Sequence, residues 1–311
     1  MNTYAAYYED EVRSASSSGG IFTALCLGFD VVYGVAMADD CRSAVYRRLE
    51  GDPLSLRGAK YLQASVGDTF RRVKEDLESG HKVLFSGTGC QVNGLKCYLM
   101  KEYPGLVCVD ILCHGVPSRK LWDKYVQKQE ETYGKLERVN FRCKDRGWQG
   151  YGLKLNDRYV PKDTDPYMQL FLGDCGLRPS CYSCHAKSCK LADITIGDFW
   201  GIDRVAPEMN DKGGTSLVIV RTEKGQNLFD EIKGSLRYKE VSYEEGVSGN
   251  PVEYRSTDRP AGRDTFYRDL EELSLEQMEK KYAQRVIKKK PLYKKVGGRI
   301  KRLLPGLRRG K

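Results

Sequence analysis

The stretch KVLFSGTGCQVNGLKCYLMKEYPGLVCVDILCHG, from Lys82 to Gly115, decides the fold. Its opening run, Lys82–Ser86, is apolar and too short for a helix, so it reads as a buried strand. The tight turn Gly87-Thr88-Gly89-Cys90 follows, then a helix over about Gln91–Tyr103. A second apolar strand over Leu106–Leu112 ends in Cys113-His114-Gly115. A right-handed crossover leaves two such strands parallel, with both carboxyl ends on one edge of the sheet. Cys90 and Cys113 each sit just past one of those ends. Ligands of open α/β sheets bind at that edge, so the two cysteines read as half of a metal or cluster site; two unrelated loop cysteines are the alternative.

Downstream, RPSCYSCHAKSCKLADITIGDFWG spans Arg178–Gly201 and ends in a strand-like run. Cys181 and Cys184 form a CxxC pair whose thiolates can converge on one metal or iron–sulfur cluster, and His185 and Cys189 offer further ligands nearby. No second CxxC completes a four-cysteine zinc ribbon, and no ferredoxin-type cysteine run is present. A tetrahedral site here must draw ligands from elsewhere in the chain. The role of Cys175 stays open, as do those of His185 and Cys189.

Upstream, RSASSSGG (Arg13–Gly20) precedes the apolar IFTALCLGF and reads as a loop feeding a helix N-terminus. That is either a helix cap with a flexible lead-in or a place where free N–H groups favour a phosphate. Strands are expected at Val31–Met37 and Ala44–Leu49, and a helix at Asp68–Ser79. Lys60 stands alone among small and aromatic residues in RGAKYLQAS. Beyond Gly115 the pattern predicts a helix from Ser118 to about Tyr133, a strand over Leu136–Cys143, a polar hairpin region over Lys144–Asp157 and a short helix at Met168–Leu172. A strand at Ser216–Arg221 and helices at Glu223–Ile232, Arg263–Leu273 and Leu275–Arg285 complete it. The fold class is therefore α/β: a mixed, partly parallel sheet flanked by helices, with a cysteine-rich region and a basic C-terminal tail.

With 311 residues, 40% of them hydrophobic, the chain can bury a sizeable core. There is no apolar run of about eighteen residues and no basic-then-apolar N-terminus, so a membrane span and a secretory signal are not expected and the cytoplasm is the natural assignment. Eleven cysteines in such a chain point to reduced thiols and ligation. Cys26, Cys97 and Cys108 fall inside apolar patterns and read as buried apolar residues. The net charge of +10 is local: residues 285–311 hold twelve of the 52 Lys and Arg and none of the 42 acids, so residues 1–284 carry 40 basic against 42 acidic groups. No nucleic-acid partner is expected of such a body. Residues 286–311 read either as an amphipathic helix on an anionic membrane surface or as a solvated basic tail.

Seven ordered blocks, RSASSSGGIFTAL, RGAKYLQAS, VLFSGTGCQVNGLKCYL, VDILCHGVPS, VNFRCKDRGW, RPSCYSC and ADITIGDFWG, resemble the coenzyme F-420 hydrogenase/dehydrogenase beta subunit family. The resemblance implies an iron–sulfur flavoprotein oxidoreductase that passes electrons between FAD and a [4Fe-4S] cluster. It implies Cys90, Cys113, Cys181 and Cys184 as the cluster ligands, and Ser17, Ser18, Gly19, Gly20, Lys60, Gly87 and Thr88 on the flavin side. Asp193, Asp198 and Trp200 lie in a block similar to one near the cofactor pocket, without an assigned role, and no catalytic acid or base is assigned. Residues 1–285 would form the flavin- and cluster-binding domain, with a subdomain over about 1–80. The ferredoxin-like segment that family members often carry is missing ahead of Arg13, so the expected electron partner is a redox partner protein or a small-molecule carrier. Gly89 replaces the proline usual in this turn, which is expected to loosen the loop holding Cys90. The alternative is a zinc-stabilised, non-enzymatic scaffold on Cys181, Cys184 and Cys189 that docks on a membrane through its tail.

Overall fold

The computed structural model describes residues 1–8 and 10–283. The basic tail, its membrane reading and the last residues of the Leu275–Arg285 helix lie outside the described residues. Twelve strands are described: β1 (Asn2–Tyr7), β2 (Val31–Met37), β3 (Ala44–Leu49), β4 (Ala64–Ser65), β5 (Val83–Thr88), β6 (Leu106–Ile111), β7 (Val139–Cys143), β8 (Gly152–Leu155), β9 (Arg158–Pro161), β10 (Ile194–Asp198), β11 (Ser216–Val220) and β12 (Arg237–Val241). Nine form one sheet in the order β12-β1-β11-β10-β6-β5-β2-β3-β4, and β7-β8-β9 form a second. At the centre of the large sheet β10, β6, β5 and β2 run parallel, and antiparallel strands flank them on both sides. The expected crossover is there: β5 pairs β6 in parallel, with Val83 opposite Leu106 and Thr88 opposite Ile111.

Alternation along β6 shows how the sheet buries both faces. Leu106 and Cys108 pack with Val92, Leu95 and Leu99 of helix Gly89–Leu99 and with Val73 and Leu77 of helix Thr69–Glu78. Val107 and Val109 pack on the opposite face with Ile21, Leu25, Leu228 and Phe229. A separate core around Trp122, Tyr125, Phe141, Tyr167, Phe171 and Phe266 joins the small sheet to helices Arg119–Tyr133, Pro166–Leu172 and Arg263–Glu272. The Trp122 indole N–H donates to the Cys41 carbonyl at 2.9 Å and ties this core to the β2–β3 turn.

Four features differ from the sequence pattern. Cys97 is exposed on helix Gly89–Leu99, whereas Cys26 and Cys108 are buried as expected. That helix stops at Leu99 rather than near Tyr103, because Met100 turns left-handed with φ 55°. The polar stretch after Cys143 makes its hairpin at Asn156-Asp157, between β8 and β9, with Asn156 at φ 52°. The N-terminal strand β1, which the pattern does not announce, lies between β11 and β12, so residues 1–80 contribute β1–β4 to the same sheet as the crossover.

Candidate functional site

Four cysteines from three separated segments line one small cavity beyond the carboxyl ends of β5 and β6: Cys90, Cys113, Cys181 and Cys184, together with Asp110, Lys187 and Glu253. Cys90 is carried on the first turn of helix Gly89–Leu99. The Gln91 side-chain oxygen there accepts from the Thr88 N–H at 2.9 Å and from its hydroxyl at 3.0 Å, and Thr88 Oγ1 lies 3.1 Å from Cys90 Sγ. This turn is tied down rather than loose. Gly89 has a packing reason, since a Cβ there would meet Asp110 Oδ2 at 2.9 Å. Cys113 lies two residues past the end of β6. The CxxC arrives by a bridge between Pro117 and Leu177 and by the Arg178 N–H donating to the Val116 carbonyl at 2.9 Å. The Val116 N–H points at Cys181 Sγ at 3.4 Å, the Cys184 N–H donates to Ser256 Oγ at 2.9 Å, and Lys187 Nζ donates to the Cys113 carbonyl at 2.7 Å.

Burial pushes the Cys113 thiol up to about 12, against the pull of Lys187 and with the help of Cys181 and Cys90. Burial likewise raises Cys181, although the Val116 N–H acts to lower it. Neutral, shielded thiols of this kind are poor nucleophiles; they suit coordination, where a bound positive centre takes the proton's place. Among the described residues, no three Cys, His, Asp or Glu side chains stand close enough to hold a single metal ion. That holds for the compact set of Cys181, Cys184, His185 and Cys189. Neither do the four cavity cysteines close on one point; a cluster with several irons, each bound to its own thiolate, asks for a wider ring of sulfurs. Cys175 is buried in the second core.

A cleft of about 340 Å³ adjoins this cavity and shares Thr88, Cys90, Ile111, Leu112 and Val116 with it. Ser17, Ser18, Gly20, Lys60, Gly87 and Thr88 all line the cleft. The Ser17 hydroxyl accepts from the Ala59 N–H at 2.8 Å, and the Ser18 hydroxyl donates to the Thr215 carbonyl at 3.1 Å. Gly19 does not line the cleft: it is wedged against β1 and β11, where a Cβ would lie 2.5 Å from the Ala6 carbonyl oxygen. The helix after the serine loop, Ile21–Leu25, has only five residues, too short to act as a strong anion-binding dipole. Two of the three Lys60 ammonium protons go to the Leu56 and Arg57 carbonyls, each at 2.8 Å, and burial lowers its pKa to about 7.

A side chamber of about 300 Å³ opens beside the cleft, walled by Tyr61, Tyr151, Phe171 and Trp200 and by the Cys113–Val116 loop. Asp198 and Trp200 acquire places here. The Asp198 carboxylate pairs with Arg142 at 2.8 Å and accepts from the Trp148 indole at 3.1 Å, while Trp200 stacks on Trp148 with ring centres 5.2 Å apart. Asp193 is elsewhere: it is buried, accepts from the Cys108 N–H and the Thr222 hydroxyl, and fastens β6 to the start of helix Glu223–Ile232. Among the residues missed from sequence is Arg142, which lines both the cleft and the side chamber at 5% exposure. The available signal was an arginine inside the otherwise strand-like VNFRC.

Over 94% of its length this chain superimposes on 93% of a chain in a xenon-derivatised structure of the F420-reducing [NiFe] hydrogenase complex from Methanosarcina barkeri, with TM-score 0.55 and 19% identity. That likeness speaks to the fold. Among curated proteins it is 25% identical over 213 residues to the chloroplastic 7-hydroxymethyl chlorophyll a reductase of Oryza sativa subsp. japonica. The match takes in 67% of this chain but only 43% of the reductase. Residues 80–245, which run from the crossover through the CxxC to β12, match the family described as coenzyme F420 hydrogenase/dehydrogenase, C terminus of the beta subunit. The chain belongs to the coenzyme F420 hydrogenase/dehydrogenase beta-subunit family.

Proposed function

We propose that this protein is an iron–sulfur flavoprotein oxidoreductase, with a [4Fe-4S] cluster held by Cys90, Cys113, Cys181 and Cys184 and FAD in the adjoining cleft. The observation that carries the reading is the shared wall: the four-thiol cavity and the cleft have Thr88, Ile111, Leu112 and Val116 in common. The residues fit both groups. Four thiols with the Val116 N–H aimed at one sulfur are the donor set of a cluster. The cleft combines serine hydroxyls and Lys60 with apolar Ile111, Ile196 and Leu56, which suits an anionic dinucleotide with an apolar ring. A flavin there would supply both two-electron and one-electron chemistry, and a cluster one-electron chemistry. The chain's own part is to hold the two at a fixed separation and to seal the wall between them. The electron source or acceptor on the other side is a redox partner protein or a small-molecule carrier.

Anaerobic purification with iron, sulfide, zinc and flavin measured on one sample tests this. About four irons, four sulfides and one flavin per chain are expected. Zinc without sulfide or flavin would overturn the assignment and leave the scaffold reading.

Lys60 makes the flavin side pH-dependent. Its pKa in the folded protein, about 7, lies below that of an exposed lysine because burial disfavours the charged form. Between about pH 7 and the ordinary lysine value the unfolded chain holds a proton that the folded one has shed, so this group makes the flavin-free protein more stable as pH rises. An anionic cofactor reverses the preference by favouring the ammonium. FAD affinity should therefore fall as pH rises through 7, by at most about tenfold per unit. Fluorescence titration of the flavin-free protein at pH 6 and pH 8.5 should show this decline in wild type and a weaker, flat affinity in Lys60→Met.

A further inference from the structure

Arg142 carries a second binding element. The β7–β8 register shifts between Asn140 and Cys143, an irregularity of the kind that re-aims a side chain. Phe141, Arg142 and Cys143 are all buried. The guanidinium lies over the Tyr151 ring at 4.0 Å and gives Nη1 to Asp198 at 2.8 Å and to the Tyr61 hydroxyl at 3.4 Å. Nε and Nη2, both buried, have no hydrogen-bond partner among the described residues. These are the two nitrogens on one edge of the guanidinium, whose parallel N–H groups match the two oxygens of a carboxylate or the edge of a phosphate. A buried donor without an acceptor is costly, and here two stand side by side on a residue that lines the cleft and the aromatic side chamber.

We propose that the Nε–Nη2 edge of Arg142 binds an oxyanion of the molecule that exchanges electrons with the flavin, and that this molecule enters the side chamber. The proposal rests on reading the cleft as the flavin site. The ligand class is a carboxylate- or phosphate-bearing compound with an unsaturated or aromatic portion, because Tyr61, Tyr151, Phe171 and Trp200 supply flat apolar walls beside the fork. The Asp198 pair and the Tyr151 face hold the guanidinium in place before the ligand arrives, so little side-chain order remains to be lost on binding.

The test uses benzoate and its neutral isostere benzamide as probes, with isothermal titration calorimetry on wild type, Arg142→Lys and Arg142→Met. Flavin content is measured separately on each preparation. Wild type should prefer benzoate at least tenfold, Arg142→Met should lose the preference, and Arg142→Lys should keep only part of it, since a lysine has charge but no fork. The double variant Arg142→Met/Asp198→Asn removes both buried charges and gives the same comparison if Arg142→Met alone does not fold. Equal binding of the two probes by wild type would overturn the proposal, as would a benzoate preference that survives Arg142→Met. Loss of flavin from Arg142→Met together with absence of that preference in wild type would give the oxyanion to the cofactor and also overturn it. A wild-type protein that lacks flavin yet shows the Arg142-dependent preference would fail the flavin reading while keeping the oxyanion site.

Discussion

Replacing Cys113 by serine is expected to take iron and sulfide from about four each per chain to below one, with the visible absorption of the cluster lost and the fold retained. Cys113 sits two residues past β6, where the strand ladder still fixes the backbone: the Leu112 N–H donates to the Ile196 carbonyl at 2.9 Å, and Lys187 holds the Cys113 carbonyl. On the proposed assignment the sulfur would be a ligand whose position the central strands dictate. Serine leaves those backbone bonds intact and removes only the soft donor that iron prefers. Cys189→Ser is the matched control, because Cys189 is close in sequence to Cys184 but does not line the four-cysteine cavity. Its iron content should equal that of wild type. Iron unchanged in Cys113→Ser and lost in Cys189→Ser would move the metal to the local Cys181, Cys184, Cys189 set and sink the cluster assignment.

That contrast follows from how much of the molecule local pattern encodes. The crossover is legible because a buried parallel strand must be a short apolar run and an intervening helix must show apolar spacing; Lys82–Gly115 contains both. Strand β3 and helix Glu223–Ile232 fall where periodicity puts them. Strand β1 is not legible. Thr3, Tyr4, Ala5 and Ala6 are all buried between β11 and β12, so the alternation that marks a half-exposed strand is missing, and alanines carry little β signal. At the site, Cys90 and Cys113 share an edge for topological reasons that a sequence can express. The arrival of Cys181 and Cys184 beside them depends on a long-range bridge between Pro117 and Leu177, which no local pattern announces. Arg142 is hidden for a related reason: what holds it at the cleft is Asp198 and the Tyr61 hydroxyl, both far along the chain. Gly19 goes the other way, because a glycine in a serine-rich loop looks like a ligand contact and here makes room for the Ala6 carbonyl.

Gly249→Ala should cost about 3 kcal/mol of stability, and it should do so by opening the wall of the side chamber. A Cβ on Gly249 would fall inside the carbonyl oxygen of Trp200 and 3.1 Å from the Gly201 nitrogen, so two backbones meet with no flexible side chain between them to yield. One of the two segments has to move. On one side is Trp200, stacked on Trp148 and adjacent to Asp198, the partner of Arg142. On the other is the 249–252 loop, where the Asn250 side-chain amide donates to the Asp198 carbonyl at 3.0 Å and the Val252 carbonyl accepts from Lys187. Either displacement separates groups that meet at the chamber, so stability and benzoate affinity should fall together. Gly234→Ala separates this from a general glycine effect: a Cβ there meets nothing within 4 Å among the described residues, and its stability should stay within about 0.5 kcal/mol of wild type. Urea denaturation midpoints for the two variants decide the matter. A Gly249→Ala midpoint equal to that of Gly234→Ala would mean that the 249–252 loop yields freely, and the pre-set position of Asp198, on which the Arg142 fork depends, would lose its structural basis.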